Sequence, residues 1–256
     1  MMGSVSVRER ILTLVVAVIS LGFFAWPLFI APAAVQQTAL AQTLFATLMP
    51  LLLALLAVEF SSGALNSRRL AVLGVLIALN AVVRMLGAGT AGIETVFFII
   101  IIAAYVFGSG FGFLLGTGSL LVSALLTGGV GPWLPFQMMA AGLVGIGAGA
   151  LPRLRSPRVT LIAYAIFASF IYGGLMTLWN WPFLAGTDTA VSYIPGAGPL
   201  TNLQQFVKYE LFTSDLLWDT GRALTTSVLI ALTAPALITT LNRAATRAGF
   251  EKSARR

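Results

Sequence analysis

Two apolar runs near the start of the chain, Ile11–Ile30 and Leu40–Val58, leave few folds open. Each is about 20 residues long, the length an α-helix needs to cross the hydrocarbon core of a bilayer. Neither alternates between apolar and polar positions, as a strand of a membrane barrel would. In lipid every backbone N–H and C=O must be paired within the structure, and a helix does this alone.

A soluble globule fails on charge. Such domains carry about 25% charged residues because their surface faces water; here the figure is 9%, against 58% hydrophobic residues. The sequence therefore predicts an all-α integral membrane protein. Eight spans are expected, at roughly 11–30, 40–59, 69–86, 93–108, 110–127, 134–151, 159–178 and 222–241. The glycine-rich join FGSGFG at 107–112 reads as a tight turn, and Pro152 and Pro157 bracket another.

Basic residues set the orientation, because short cytoplasmic loops are enriched in Lys and Arg. With the N-terminus inside, Arg8, Arg10, Arg68, Arg69, Arg153, Arg155, Arg158, Arg243, Arg247, Lys252, Arg255 and Arg256 all fall in the cytoplasm, twelve of the 15 basic residues. Both termini are then cytoplasmic in a multi-pass protein of the cell membrane. This topology explains the net charge of +7, so no nucleic-acid partner is needed. The start of the chain, RER followed by an apolar run and APA at 31–33, has the outline of a signal peptide. The run is longer than a signal core and proline sits in the middle of the cleavage motif, which favours an uncleaved anchor.

The chain has no cysteine and no histidine. Disulfides, thiolate nucleophiles, imidazole bases and most transition-metal sites are excluded together. No G-x-x-x-x-G-K-[ST] loop occurs, and the lysines are only Lys208 and Lys252. DTGRA at 219–223 has the outline of an aspartate-based phosphotransfer motif but lacks its further aspartates. An enzyme is not expected, and neither a cofactor nor a metal site is. Nor do the spans carry the chain of buried acids a proton-driven carrier uses. Energy for uphill transport would have to come from a partner.

Polar residues inside or beside the spans are the candidates for function, since lipid penalises them. Glu59 lies at a cytoplasmic helix end and can reach water. Arg84 closes RRLAVLGVLIALNAVVRM on the outer side, with Asn80 one turn earlier on the same face and Glu94 across a short loop. An Arg84–Glu94 ion pair and an outward-facing site are both open readings. In GPWLPFQMM at 131–139, Pro132 and Pro135 suit a helix start. Trp133 is either an interfacial anchor or pocket wall, with Phe136 beside it, and the Gln137 amide needs a partner from a helix or a ligand. Trp179, Asn180, Trp181 and Trp218 share that outer level, so four of five tryptophans gather on one side, which favours an outward aromatic pocket. Residues 179–221 form the one long external segment. Within it Leu203, Phe206, Val207, Glu210, Leu211 and Ser214 share a helical face, as a surface helix or a lid would.

Small residues mark close helix contacts. Gly112 and Gly116, and then Ala141, Gly145 and Gly149, recur at four-residue spacing. Gly74 and Ala78, with Ala71 nearby, form a similar patch that could pack internally or on another protein.

From about 68 to 248 these segments, with YELFTSDLLWDTGRA and the later LNR, resemble the substrate-binding S component of energy-coupling-factor (ECF) vitamin transporters, closest to the cobalamin-type branch. GPWLPFQ is the most specific element. The resemblance implies a six-helix core, 67–248, preceded by two extra helices in 1–66 and followed by a basic tail, 249–256. It implies capture of a vitamin-sized solute at the outer face, and work with a membrane-embedded T component and two ABC-type ATPases. The substrate-binding set expected is Asn80, Arg84, Glu94, Trp133, Phe136, Gln137, Trp179, Asn180 and Trp218. The family's A-x-x-x-A patch for the T component is matched by Gly74-x-x-x-Ala78, with Ala71 alongside. A stand-alone ion-coupled carrier and a non-transporting scaffold are the alternatives.

Overall fold

The computed structural model describes residues 7–29, 37–61, 67–87, 92–184, 189–194, 196–212 and 215–247. Its elements are helices: α1 Val7–Phe24, α2 Trp26–Phe29, α3 Gln37–Ser61, α4 Ser67–Met85, α5 Phe97–Phe107, α6 Ser109–Thr127, α7 Leu134–Ala150, α8 Pro157–Leu184, α9 Pro199–Phe212 and α10 Asp215–Arg247. Among the described residues, three helical stretches are long and apolar enough to cross a membrane: Ser109–Thr127, Pro157–Phe183 and Leu216–Arg247. Shorter apolar stretches lie in α3, α5 and α7.

The core is built around α5. FFIIIIAAYVF is apolar on every side, and Phe97 through Tyr105 are all buried. Such a helix belongs inside a bundle. It packs among α6, α7 and α10. At 11 residues it is about 16 Å long, well short of a bilayer core of about 30 Å. The sequence pattern put its start at 93. The structure starts it at Phe97, because the Thr95 hydroxyl donates to the Val83 carbonyl (2.6 Å) and Glu94 turns away to Arg222, which holds 93–96 out of the helix.

The turn at FGSGFG is tighter than its six letters suggest. Gly108 alone separates α5 from α6, at φ 99°, a backbone that side chains disfavour. The following helices meet through the small residues expected of them. A Cβ on Gly112 would strike the Gly145 carbonyl, one on Gly116 the Ala141 carbonyl, and one on Gly149 the backbone of Ser109. α6 and α7 thus lie antiparallel with their backbones in contact along the whole seam.

The segment expected to be external is smaller than 179–221. α8 continues through Trp179–Trp181 to Leu184, and α10 starts at Asp215 rather than 222. A proline in the last turn of α8, Pro182, and another within α10, Pro235, do not end these helices, as packed neighbours in a membrane bundle allow. The predicted apolar face of α9 divides in two. Phe206 turns inward onto Trp181 and Glu210 is partly buried, whereas Leu203, Val207 and Leu211 join Leu200 as an exposed stripe. Ser214 lies outside the described residues, as do the APA motif and the 249–256 tail.

The N-terminal pair joins the core. Phe24 is fully buried edge-on to Phe136 (5.5 Å between ring centres), and Leu48, Leu52 and Leu56 of α3 are buried. α1 and α3 pack on α7, and α1 and α2 on α8.

The described arginines of the sequence's charge bias lie toward one end. Arg68 donates to the Arg247 carbonyl, Arg158 to that of Ala231, and Arg153 stacks over Tyr105 at 4.2 Å. Partial burial there lowers the Arg153 pKa. The tryptophans occupy the opposite end.

Candidate functional site

At the tryptophan end two layers meet, one aromatic and one ionic. Phe136, at the start of α7, stacks on Trp179 of α8 at 4.3 Å and 5°. Trp179 in turn meets Phe183, and Phe183 meets Trp26. With Phe24 this makes a continuous aromatic cluster shared by α1, α2, α7 and α8. Trp181 points to the other side of α8, into Tyr193, Phe206 and Tyr209, and donates its indole N–H to the Val191 carbonyl (3.0 Å). Asn202 of α9 bonds both the N–H and the carbonyl of Ile194. The α9 cover is thereby fixed to the segment before it. Burial raises the Tyr193 pKa. Two open recesses lie at the arginine end, one of about 850 Å³ between α4 and α10 and one of about 430 Å³ along α8.

The ionic layer centres on Arg222, near the start of α10. Its Nε donates to Glu94 Oε2 (2.5 Å), and its Nη1 donates to Asp219 Oδ1 and to the Ser169 carbonyl. Its guanidinium lies 4.9 Å over the Tyr172 ring, and Tyr172 meets Phe97 edge-on. A Cβ on Gly173 would collide with the Asp219 carboxylate, so this glycine is what lets α8 approach α10. Gly92, at φ 76°, lays the 92–96 strap against the Trp218 carbonyl. Arg222 is therefore a knot joining loop, α8 and α10.

The Arg84–Glu94 pair, one of the two readings left open by the sequence, does not form. Arg84 Nη1 donates to the Ser123 hydroxyl of α6 (3.0 Å), while Glu94 is taken by Arg222. The reason is charge: Arg222 sits between two carboxylates in a buried setting, where unpaired charge is costly. Both arginines still meet at the strap, since the Thr95 hydroxyl donates to the Val83 carbonyl beside Arg84 while the neighbouring Glu94 is held by Arg222.

Several buried polar atoms have no hydrogen-bond partner among the described residues. They are both amide atoms of Asn80, the Ser119 and Thr226 hydroxyls, Arg84 Nε and Trp179 Nε1. Asn80, Ser119 and Thr226 are fully buried. Arg84–Ser123 fixes the register of α4 on α6, which sets Asn80 level with Ser119, one turn below. Thr226 is one turn below Arg222 on α10. Each such atom costs about 1–3 kcal/mol, so several together are a standing demand for donors and acceptors from elsewhere.

A family profile described as ECF transporter, substrate-specific component, matches residues 68–245, well over half of the chain. The chain belongs to that family. No curated protein and no solved structure matches it. The S component is accordingly a substrate-binding subunit of an ECF transporter and a multi-pass membrane protein.

In this S component the sequence candidates fall into three groups. Asn80, Arg84, Glu94, Phe136 and Trp179 enter the two layers. Gln137 and Asn180 are partly buried beside the aromatic cluster. Trp133 and Trp218 are exposed at 45% and 39% and line nothing. Trp133 bonds the Gly129 carbonyl of its own loop (3.3 Å), as an anchor at the helix end. Arg222, Asp219, Tyr172, Ser119 and Thr226 were not in the sequence-derived set. Arg222 stands out in the sequence as a charge beside an apolar run; the two hydroxyls carry no such signal. On α4, Ala71, Gly74 and Ala78 are exposed, and a Cβ at Gly74 would meet nothing within 4 Å. Among the described residues that patch is not an internal packing surface. No group of carboxylates there is arranged to hold a metal ion.

Proposed function

We propose that this S component captures a vitamin-sized solute at its tryptophan end, which faces outward, as part of an ATP-driven importer. The observation that supports this most is the buried, unpartnered pair Asn80 and Ser119, one turn below the Arg84–Ser123 bond, with the stacked Phe136 and Trp179 and the Glu94–Arg222 clasp toward the same end. A solute with a flat apolar body and a hydrogen-bonding rim would satisfy both surfaces, the rings by stacking and the polar atoms by direct bonds.

In this packed form the site is closed. Entry requires the Glu94–Arg222 clasp to part, so that the 92–96 strap and the α9 cover move off the bundle. An eight-span topology with both termini in the cytoplasm, the reading the basic loops favour, would put the arginine end inside. The exposed Ala71–Gly74–Ala78 face would receive the T component, and two ABC-type ATPases would supply the energy. Cobalamin is the first candidate solute, on the resemblance of the sequence to that branch.

A thermal-shift screen of the purified chain against vitamins, cobalamin among them, tests capture. A rise in midpoint with one vitamin supports the reading; no rise with any of them points to a scaffold. Uptake into liposomes tests coupling: import is expected only with the T component and ATPases present. Transport by this chain alone would make it an ion-coupled carrier.

A further inference from the structure

We infer that the cleft between the start of α4 and the end of α10 binds the phosphate head group of an anionic phospholipid. Its walls are Arg68, Ala71, Val72, Thr240, Arg243, Ala244 and Arg247, around about 850 Å³. Three arginines and one threonine line this space, and among the described residues no carboxylate does. Glu94, Glu210 and Asp219, the acidic side chains with described surroundings, all lie toward the tryptophan end.

The arginines are not a random basic fringe. Arg68 Nη1 donates to the Arg247 carbonyl (3.3 Å), which ties the two helix ends across the cleft and offsets the free carbonyls that close α10. The remaining N–H groups of both forks are available to phosphate oxygens, the pairing that guanidinium geometry suits. α4 and α10 form no packed seam: α4 lies on α6, and α10 lies on α8 and α5. The cleft is therefore open sideways, at the level where the membrane-crossing stretch Leu216–Arg247 ends.

The walls decide the occupant. Arg68, Ala71 and Val72 share a helical face with Val75, Leu79 and Val82, all three exposed and apolar. Head-group contacts at the arginines thus continue without a break into a strip for an acyl chain. A phospholipid matches both halves, whereas an acidic protein segment or a free phosphate matches only the first. Basic pockets between helices at the cytoplasmic side recognise anionic lipids on these grounds. This inference does not depend on which solute the S component carries.

The test uses the full chain in neutral nanodiscs or detergent, with phosphatidylglycerol, phosphatidylcholine and inorganic phosphate as probes and native mass spectrometry as readout. Wild type is expected to retain phosphatidylglycerol about tenfold or more over phosphatidylcholine. Arg243→Gln combined with Arg247→Gln should abolish that preference. Arg155→Gln, an exposed arginine at the same end but outside the cleft, should keep it. Ala244→Trp, which fills the cleft and leaves the charge unchanged, should also abolish it. Equal retention of both lipids by wild type would overturn the inference. So would an equal loss in Arg155→Gln, displacement of the lipid by millimolar phosphate, or full retention in Ala244→Trp.

Discussion

Glu94 Oε2 lies 2.5 Å from Arg222 Nε although 128 residues separate the two in the chain. The contact joins the strap after α4 to α10, and the same guanidinium serves Asp219 and the Ser169 carbonyl. Removing one partner of a buried ion pair leaves uncompensated charge and costs about 3–5 kcal/mol. Arg222→Ala should therefore lower the unfolding midpoint of the detergent-solubilised protein sharply and expose the 92–96 strap to protease. Arg222→Lys should restore only part of this, because an ammonium cannot reproduce the planar fork that meets three acceptors at once. An unchanged midpoint in the alanine variant would show that the clasp carries no weight.

Two glycines four-residue patterns would treat alike are expected to behave in opposite ways. Gly145 abuts the backbone of Gly112, so Gly145→Val must push α6 and α7 apart, at a cost of about 1–3 kcal/mol or more. Gly74 faces open space, and Gly74→Leu should leave the midpoint unchanged within about 0.5 kcal/mol. If that face receives the T component, the same Gly74→Leu variant should fail to co-purify with it. Normal co-purification would place the partner elsewhere.

The fold was legible where the sequence speaks through composition and spacing. Scarce charge and long apolar runs dictate membrane helices, and the glycines of α6 and α7 meet as their spacing requires. The Gly108 turn is likewise visible in FGSGFG. What spacing could not supply was partner choice. Glu94 lies ten residues from Arg84 yet bonds Arg222, because long-range packing of α10 decides which charge is nearest. Trp133, Trp179 and Trp218 look alike as letters. Only the rotation of each helix about its axis makes Trp179 a buried platform and the other two exposed anchors.

That rotation has a measurable consequence. Phe136 is fully buried and stacked on Trp179, with Phe24 against its edge. Phe136→Ala should cost about 3–5 kcal/mol through lost burial and the cavity left behind. Trp133→Ala, three residues earlier, should cost about 0.5 kcal/mol or less. Thermal unfolding of both variants in one detergent checks the contrast. Comparable losses would mean that Trp133 turns inward in the membrane.

The sharpest prediction concerns a residue whose removal should help the empty protein. Asn80 is fully buried, and neither its amide nitrogen nor its amide oxygen has a partner. Leucine has the same branched arrangement of side-chain heavy atoms and needs no hydrogen bond. Asn80→Leu should therefore raise the stability of the unloaded protein by about 1–3 kcal/mol, the desolvation cost it relieves. If the amide is kept for a solute, the same variant should lose the midpoint rise that the cognate vitamin gives wild type. The two readouts separate the roles of the residue. A structural asparagine would lower stability when replaced and leave the ligand response intact, whereas a binding asparagine gains stability and loses the response. Ser119→Ala, level with it on α6, should shift both in the same directions by smaller amounts, because a hydroxyl contributes fewer bonds than an amide.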